Sequence, residues 1–329
     1  MSKVVRFAKI GGPEVLSFED VDVRLPEANE IRITSKALGV SRADSMFRRD
    51  EYLESPILPA GLGYEVAGIV EALGPNVTGF AVGDKVNVLP AFSTNKYSMY
   101  GELVVAPIHA VVHQPPGLSF EEASSIWMMF ITAWGGLIEL AKLTAGDAVV
   151  IPAASSSVGI ASIQIGNMVG ATTIALTRTA AKRQQLLDAG AKHVVVTDDS
   201  DLTAEILRIT EGNGARVIFD PVGGPDFPKL ISAVAKFGQV IVYGALSNQV
   251  TPLPMLGIIG KLPTIQASSI SAITTNPVRQ KAAVAFVLQG LMNGDLKPVI
   301  DSKFKFADIV KVHQYLENNG QFGKIVVTF

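Results

Sequence analysis

The segment VVIPAASSSVGIASIQIG, residues 149–166, places a run of small residues between an apolar strand and a helix. Such a loop can cradle a pyrophosphate, because the free N–H groups of a helix N-terminus point at the anion and small side chains let the backbone approach it. Set against the dinucleotide pattern G-x-G-x-x-G, Ala154 stands at the first glycine, Ser156 at the second and Gly159 at the third. Alanine can make the tight turn while its φ stays negative. Ser156 adds a Cβ that holds a cofactor slightly away and a hydroxyl that partly fills the gap; Ser155, Ser157 and Val158 complete the loop. The helix N–H groups survive any substitution except proline, so the loop keeps its anion-binding capacity.

The second test lies about twenty residues on, where an NAD enzyme needs Asp or Glu on the ribose 2′-hydroxyl. This chain reads ALTRTAAKRQQLLDAG there, with no acid before Asp188. Arg178, Lys182 and Arg183 stand in its place, flanked by Thr177 and Thr179. A planar guanidinium and a neighbouring ammonium suit a 2′-phosphate, and a 2′-hydroxyl would find no acceptor. Cations at a helix start oppose the macrodipole and need such a reason. The expected cofactor is therefore NADPH rather than NADH.

Other chemistries have little material. There are no cysteines, which removes thiolate nucleophiles and every cysteine-ligated metal. His109, His113, His193 and His313 are scattered without ligand spacing. The net charge of −2 gives no electrostatic case for nucleic acid or an acidic membrane. The most apolar run, IWMMFITAWGGLI, is closed by Glu139 and falls short of the roughly 18 residues of a spanning helix. The N-terminus MSKVVRFAKIGG has no continuous apolar stretch to make a signal peptide. We expect a cytoplasmic protein with no nucleic-acid or membrane partner.

Two kinds of element must hold these residues. Up to about residue 115, short alternating runs such as KVVRFAKI, EIRITSKA, YEVAGIVEAL, DKVNVLP and GELVVAP are punctuated by turn signals and predict a β-rich module. Ser119 and Glu122 have capping-box spacing, which predicts a helix running on through ASSIWMMFITAWGGLIELAKL. Beyond Gly146, apolar strands DAVVIP, TTIAL, HVVVT, RVIFDP and QVIVYGAL alternate with helices near 157–169, 179–189, 201–211 and 225–236. Strands apolar throughout and joined by helices require a parallel sheet covered on both faces, a doubly wound α/β fold. A sixth strand near 262–270, a helix near 276–292 and a final helix–strand pair complete the chain. His313 shares a helical face with Ile309, Val312 and Leu316 and reads as half-buried packing rather than a ligand.

Together these residues resemble the zinc-independent branch of the medium-chain dehydrogenase/reductase superfamily, the quinone oxidoreductase, or zeta-crystallin-like, family. The resemblance spans nearly the whole chain. It is carried by GVSRAD at 39–44, GLGYEVAGIVEALGPNVTGFAVGDKV at 61–86, AASSSVG at 153–159, DPVGG at 220–224, YGAL at 243–246 and the closing GKIVVTF. It implies a GroES-like β-rich catalytic domain over 1–122, a Rossmann NADPH-binding domain over 123–267, and a return to the catalytic domain over 268–329. Ser41 and Tyr64 occupy the positions where zinc-dependent relatives place a cysteine and a histidine, so no metal is expected.

The same resemblance puts Ser41, Thr132, Ser156, Val158, Arg178, Lys182, Val222, Tyr243, Gly244, Ala245 and Gly323 near the cofactor. Thr132 reads equally as a helix-packing residue. Catalytic candidates are Tyr52, Tyr64 and Ser41, with Phe47, Trp127 and Met128 as pocket walls and Glu65 as a structural hydrogen-bond acceptor. The implied reaction is hydride transfer from NADPH to a quinone or an α,β-unsaturated carbonyl compound. Two other readings stand beside it: an enoyl-thioester (enoyl-CoA or enoyl-ACP) reductase, and a non-catalytic NADPH-binding structural or regulatory protein. The apolar stretch LPTIQASSI predicts an edge strand through which a homodimer forms.

Overall fold

The computed structural model describes all residues, 1–329. The alternating runs of the first third become strands β1 Ser2–Phe7, β2 Leu16–Val21, β3 Glu30–Val40, β4 Ala60–Gly61, β5 Glu65–Leu73, β6 Lys85–Val88, β7 Leu103–Pro107 and β8 Val111–His113. β1 is the centre of a small antiparallel sheet with β2 and β4. β3 is the spine of the larger sheet and pairs antiparallel with both β5 and β7. Its first half buries Ile31 and Ile33 while Arg32 and Thr34 stay partly exposed; from Ala37 to Val40 every residue is buried. GVSRAD, read only as a motif, contains the start of a helix, α1 Arg42–Arg48.

The capping box at Ser119 forms as expected: its hydroxyl accepts the Glu122 N–H at 3.2 Å, and the Glu122 carboxylate accepts the Ser119 N–H at 2.8 Å. The helix it starts is not continuous. α2 Phe120–Ala123 stops, and α3 Trp127–Trp134 follows after a break at 124–126, where the Ser124 and Ser125 hydroxyls bond back to the carbonyls of Glu121 and Glu122. Gly135–Leu140 then widens to a π-helix. A Cβ on Gly135 would meet the Ile273 side chain at 2.1 Å, and one on Gly136 the Phe219 ring at 2.1 Å, so the glycine pair lets this turn lie against its neighbours. Phe120–Leu140 is long and apolar enough to cross a membrane, but 83% of its most apolar window is buried inside the fold.

The second half has β9 Ala148–Ile151, β10 Thr172–Thr177, β11 His193–Val196, β12 Ala215–Asp220, β13 Val234–Val242 and β14 Thr264–Ala267. They form one parallel sheet in the order β11-β10-β9-β12-β13-β14. That is the Rossmann order, with its switch point between β9 and β12. The connecting helices are α4 Ser157–Met168, α5 Arg183–Asp188, α6 Leu202–Ile209 and α7 Phe227–Ala233. Val150, Ile174, Ile218 and Val240 bury one sheet face against Leu202 and Ile206 of α6 and Leu230 and Ile231 of α7. The expected helix at 225–236 ends at Ala233, because β-branched Val234 already enters β13. α8 Met255–Lys261 precedes β14; α9 Ile270–Thr274 and α10 Pro277–Asn293 follow it.

The chain then returns with β15 Ile300–Lys305, α11 Ile309–Glu317 and β16 Lys324–Thr328. β16 pairs antiparallel with β3 and parallel with β15, extending the larger sheet. By contacts the chain forms two units: Met1–Met128 with Thr274–Pro277 and Pro298–Phe329, and Met129–Ile273 with Val278–Lys297. Thus 278–297, expected with the returning C-terminal part, counts with the Rossmann unit.

Candidate active site

In the Rossmann unit the loop after β9 ends at Ser156, which is the N-cap of α4. Its extended backbone leaves its side-chain oxygen accepting the Gly159 N–H at 3.0 Å. The serine hydroxyl therefore occupies one of the helix N–H groups that an all-glycine loop would offer to phosphate. The turn itself is made by Ala153, at φ +49°, rather than by Ala154. Gly159 has the packing role of the third glycine: a Cβ there would lie 2.5 Å from the Ala154 carbonyl oxygen. Ser157 and Val158 form the first turn of α4.

Three further strand ends lie on the same edge of this parallel sheet. At the end of β10, Arg178 is exposed, and the half-buried Lys182 reaches back so that its Nζ donates to Ser155 Oγ at 3.3 Å. The Thr177 hydroxyl donates to the Thr179 carbonyl at 3.2 Å. At the end of β12, fully buried Asp220 accepts the N–H groups of Val222 at 2.8 Å and Gly223 at 3.0 Å. Burial raises its pKa and those two N–H groups oppose the rise. Sequence reasoning did not single out Asp220, although an acid closing the apolar run RVIF is a visible signal.

Beyond β13, Tyr243 stacks on Phe219 with ring centroids 3.9 Å apart. Its hydroxyl is buried toward Ser156, and burial holds its pKa well above the ordinary range for tyrosine. Gly244 follows, where a Cβ would come within 2.9 Å of the Pro221 carbonyl oxygen, and Ala245 is exposed. Thr132 is nearly buried in α3, one helical turn before the Gly135–Gly136 pair. These residues fit a dinucleotide: a helix N-terminus, a glycine whose Cβ would be excluded, and cations beyond the second strand.

In the β-rich unit, Ser41 is the N-cap of α1, and its N–H is accepted by the Asp44 carboxylate at 2.8 Å. Asp44 is fully buried, and burial pushes its pKa up to about 7 despite the Ser41 N–H and the Lys324 charge, which pull it down. The Ser41 hydroxyl accepts a hydrogen bond from Lys324 Nζ at 2.9 Å. Lys324, with 1% of its side chain exposed, is also ion-paired with Glu65, whose side chain is 0% exposed. The other Glu65 oxygen accepts the Met128 N–H at 2.9 Å, in keeping with an acceptor role. Gly323, expected near a cofactor, has φ +106°, and a Cβ there would strike the Val299 carbonyl; it sets the entry of β16 and so the position of Lys324.

Tyr52 and Tyr64 meet edge to face with centroids 6.0 Å apart. Burial, and then the Asp44 charge, raises the pKa of Tyr52; burial raises that of Tyr64 as well. Both hydroxyls therefore keep their protons at neutral pH. Two expected pocket walls are core residues instead: Phe47 is 0% exposed and packs edge-on against Phe7, and Trp127 is 0% exposed. His313 is not half-buried packing. It is 0% exposed, its Nδ1 lies 3.1 Å from a nitrogen of the buried Arg48, and burial followed by the Arg48 charge pushes its pKa down to about 3. Arg48 is in turn paired with Glu317, which also holds Arg49 at 2.6 Å.

Comparison with known proteins identifies the family and the fold. Residues 27–153 match the alcohol dehydrogenase GroES-like domain, and residues 157–288 match the zinc-binding dehydrogenase family. Quinone oxidoreductase 1 of Escherichia coli (strain K12) is 30% identical over 98% of both chains. Among solved structures, an NAD-dependent alcohol dehydrogenase superposes with a TM-score of 0.90 at 30% identity, covering 99% of each chain. An Escherichia coli quinone oxidoreductase in complex with NADPH also scores 0.90, at 26% identity, over 99% of this chain and 100% of that one. Sequence and fold agree that the chain belongs to the quinone oxidoreductase family of the medium-chain dehydrogenases/reductases.

Proposed function

We propose that the protein uses NADPH to reduce quinones or α,β-unsaturated carbonyl compounds without a metal. The observation that carries the cofactor choice is the basic edge beyond β10. Arg178 and Lys182 stand there, Lys182 already tied to the phosphate loop through Ser155, and no acid occurs between Thr177 and Arg183. One structural relative is an NAD-dependent alcohol dehydrogenase, but a ribose 2′-hydroxyl would lack a carboxylate acceptor in this stretch. The Escherichia coli quinone oxidoreductase, whose fold this chain shares, is complexed with NADPH, which supports the same choice.

Metal-free chemistry is supported by the side chains present. Ser41 and Tyr64 take the positions that zinc-dependent relatives give to cysteine and histidine, and no three His, Cys, Asp or Glu side chains converge as a metal site. When bound, the reduced nicotinamide supplies a hydride. Without a Lewis acid on the carbonyl, acceptors already activated by conjugation are favoured. The chain's own contribution is to orient the acceptor and to offer hydroxyl donors, Tyr52, Tyr64 and Ser41, to the oxygen that gains charge.

Assembly as a homodimer belongs to the same proposal. Met255, Leu256 and Ile259 of α8 are 62%, 85% and 62% exposed, and β14, which follows α8 in the chain, is the last strand of its sheet and leaves Ile265 37% exposed. A patch of this kind on a sheet edge is what an isologous interface covers. The reading is tested by steady-state assays with NADPH and NADH against quinones, alkenals and enoyl-CoA esters. The expected result is NADPH oxidation with quinones or alkenals, and an Arg178→Ala, Lys182→Ala variant that loses NADPH affinity selectively. Equal loss for both nucleotides refutes the cofactor assignment, and turnover confined to enoyl-CoA esters refutes the substrate class.

A further inference from the structure

The Lys324–Ser41 contact has no counterpart in the roles assigned so far. Burying an ammonium and a carboxylate is costly, and an apolar pair of similar size would serve the core as well or better. The sequence nevertheless makes room for this pair: a Cβ on Gly39 would lie 2.6 Å from a Glu65 carboxylate oxygen and 2.7 Å from Lys324 Cε. Glu65 is held by the Met128 N–H on its far oxygen, so it fixes the Lys324 head group, and that head group donates to Ser41 at 2.9 Å. Ser41 is itself fixed at its N–H by Asp44. A hydroxyl whose lone pair is engaged by a buried ammonium is polarised, and its own O–H becomes a stronger donor. Ser41 is only partly buried, whereas Lys324 and Glu65 are inaccessible.

We propose that the Lys324–Ser41 pair forms an oxyanion-holding site, in which Ser41 donates to the acceptor's carbonyl oxygen and Lys324 acts through it as a positioning and polarising residue. This rests on the reductase reading above. In the step it serves, the hydride bonds with its electron pair to the β-carbon of the conjugated acceptor, and the nicotinamide is oxidised. The C=C pair shifts to form the enolate, and the carbonyl π pair moves onto the oxygen that the Ser41 O–H holds. A solvent proton then completes the reduced product. The buried cation thus occupies the role that a Lewis acid fills in metal-dependent relatives, acting through one hydroxyl.

The test uses 4-nitrophenol as a probe for a bound oxyanion, with its ionisation read by absorbance across a pH series on the full chain, with and without NADP⁺. The wild-type protein should lower the pKa of the bound probe relative to free nitrophenol. Ser41→Ala, and Lys324→Met combined with Glu65→Gln so that no carboxylate is left unpaired, should each raise it again by about 1–3 units. Lys324→Arg should retain most of the lowering. Quinone reduction by the double variant should fall in kcat with KM little changed. A bound probe whose pKa is the same in wild type and double variant overturns the proposal, as does a wild-type chain that does not bind the nitrophenolate. NADPH fluorescence on the same samples separates the two readings: lost NADPH binding overturns the cofactor assignment, whereas intact NADPH binding with an unshifted probe overturns the oxyanion site alone.

Discussion

Ser156 gives the cofactor loop opposite effects on stability and affinity. Its hydroxyl caps α4 by accepting the Gly159 N–H at 3.0 Å, so that donor is occupied before any phosphate arrives. Replacing an N-cap serine with alanine typically costs about 1 kcal/mol of stability, and replacing it with glycine only a few tenths. Either change releases the Gly159 N–H, and a hydrogen bond from a backbone donor to a charged phosphate contributes about 1.5–3 kcal/mol. Glycine also removes the Cβ that keeps the backbone away from the pyrophosphate. Ser156→Gly is therefore expected to tighten NADPH binding about tenfold, since about 1.4 kcal/mol is one decade, with the melting temperature of the free protein almost unchanged.

Ser156→Ala separates the two contributions. It frees the same N–H but keeps the Cβ, so its gain in affinity should be smaller and its loss of stability larger than for glycine. Fluorescence titration with NADPH and denaturant unfolding of the free protein measure both quantities. If Ser156→Gly binds NADPH more weakly than wild type, the hydroxyl is itself a phosphate ligand and the capping argument fails.

Three further outcomes follow from the geometry. Tyr52→Phe should reduce kcat/KM for a quinone or alkenal about tenfold or more, the range for a lost donor to developing charge, and full activity would remove Tyr52 from the site. Analytical ultracentrifugation should give twice the 34.8 kDa chain mass, falling to the single-chain mass when Leu256 and Ile259 are replaced by aspartate; a monomeric wild type refutes the dimer. The raised pKa of Asp44, about 7 against 3.8, means the folded state holds that proton more tightly, so its contribution to stability is full at low pH and fades between pH 4 and 7. His313, at about 3 against 6.5, works the other way and loses stability as pH falls from 6.5 toward 3. Urea unfolding of the wild type should thus be nearly flat from pH 4 to 6.5. Asp44→Asn should unmask a rise of about 1.4 kcal/mol per pH unit over that window, and an unchanged profile would show that Asp44 is not the compensating group.

What the sequence reveals depends on how local the cause is. The five apolar strands of the Rossmann unit and their crossover helices are set by periodicity within a few residues, and each appears close to its expected place. The serine loop and the basic edge beyond β10 are legible for the same reason. The continuous helix after Ser119 fails because apolar composition cannot show that Ser124 and Ser125 turn their hydroxyls back onto the chain. Phe47 and Trp127 look like pocket walls by their neighbours in sequence, yet tertiary packing puts both in the core. The Ser41–Lys324–Glu65 cluster could not be read from spacing at all, since its members come from three distant segments. One signal was available: a lysine opening the apolar run IVVTF has to place its charge somewhere.

Lys182 and Lys324 show why the same contact differs in effect. Each donates its ammonium to a serine hydroxyl, Ser155 in one unit and Ser41 in the other. Lys182 is half-buried just beyond β10, with Arg178, Ala181 and Arg183 around it in sequence exposed, and there charges are screened within roughly 10 Å at moderate salt. A cation there can attract and select a phosphate, and its influence declines with ionic strength. Lys324 is sealed beside Glu65 in surroundings of low effective dielectric, where bulk ions do not reach it and its field on the Ser41 hydroxyl persists. The exposed pair suits recognition of a charged ligand arriving from water, and the buried pair suits stabilising charge that appears only during reaction. Burial, more than residue type, divides binding from chemistry between these two serine–lysine contacts.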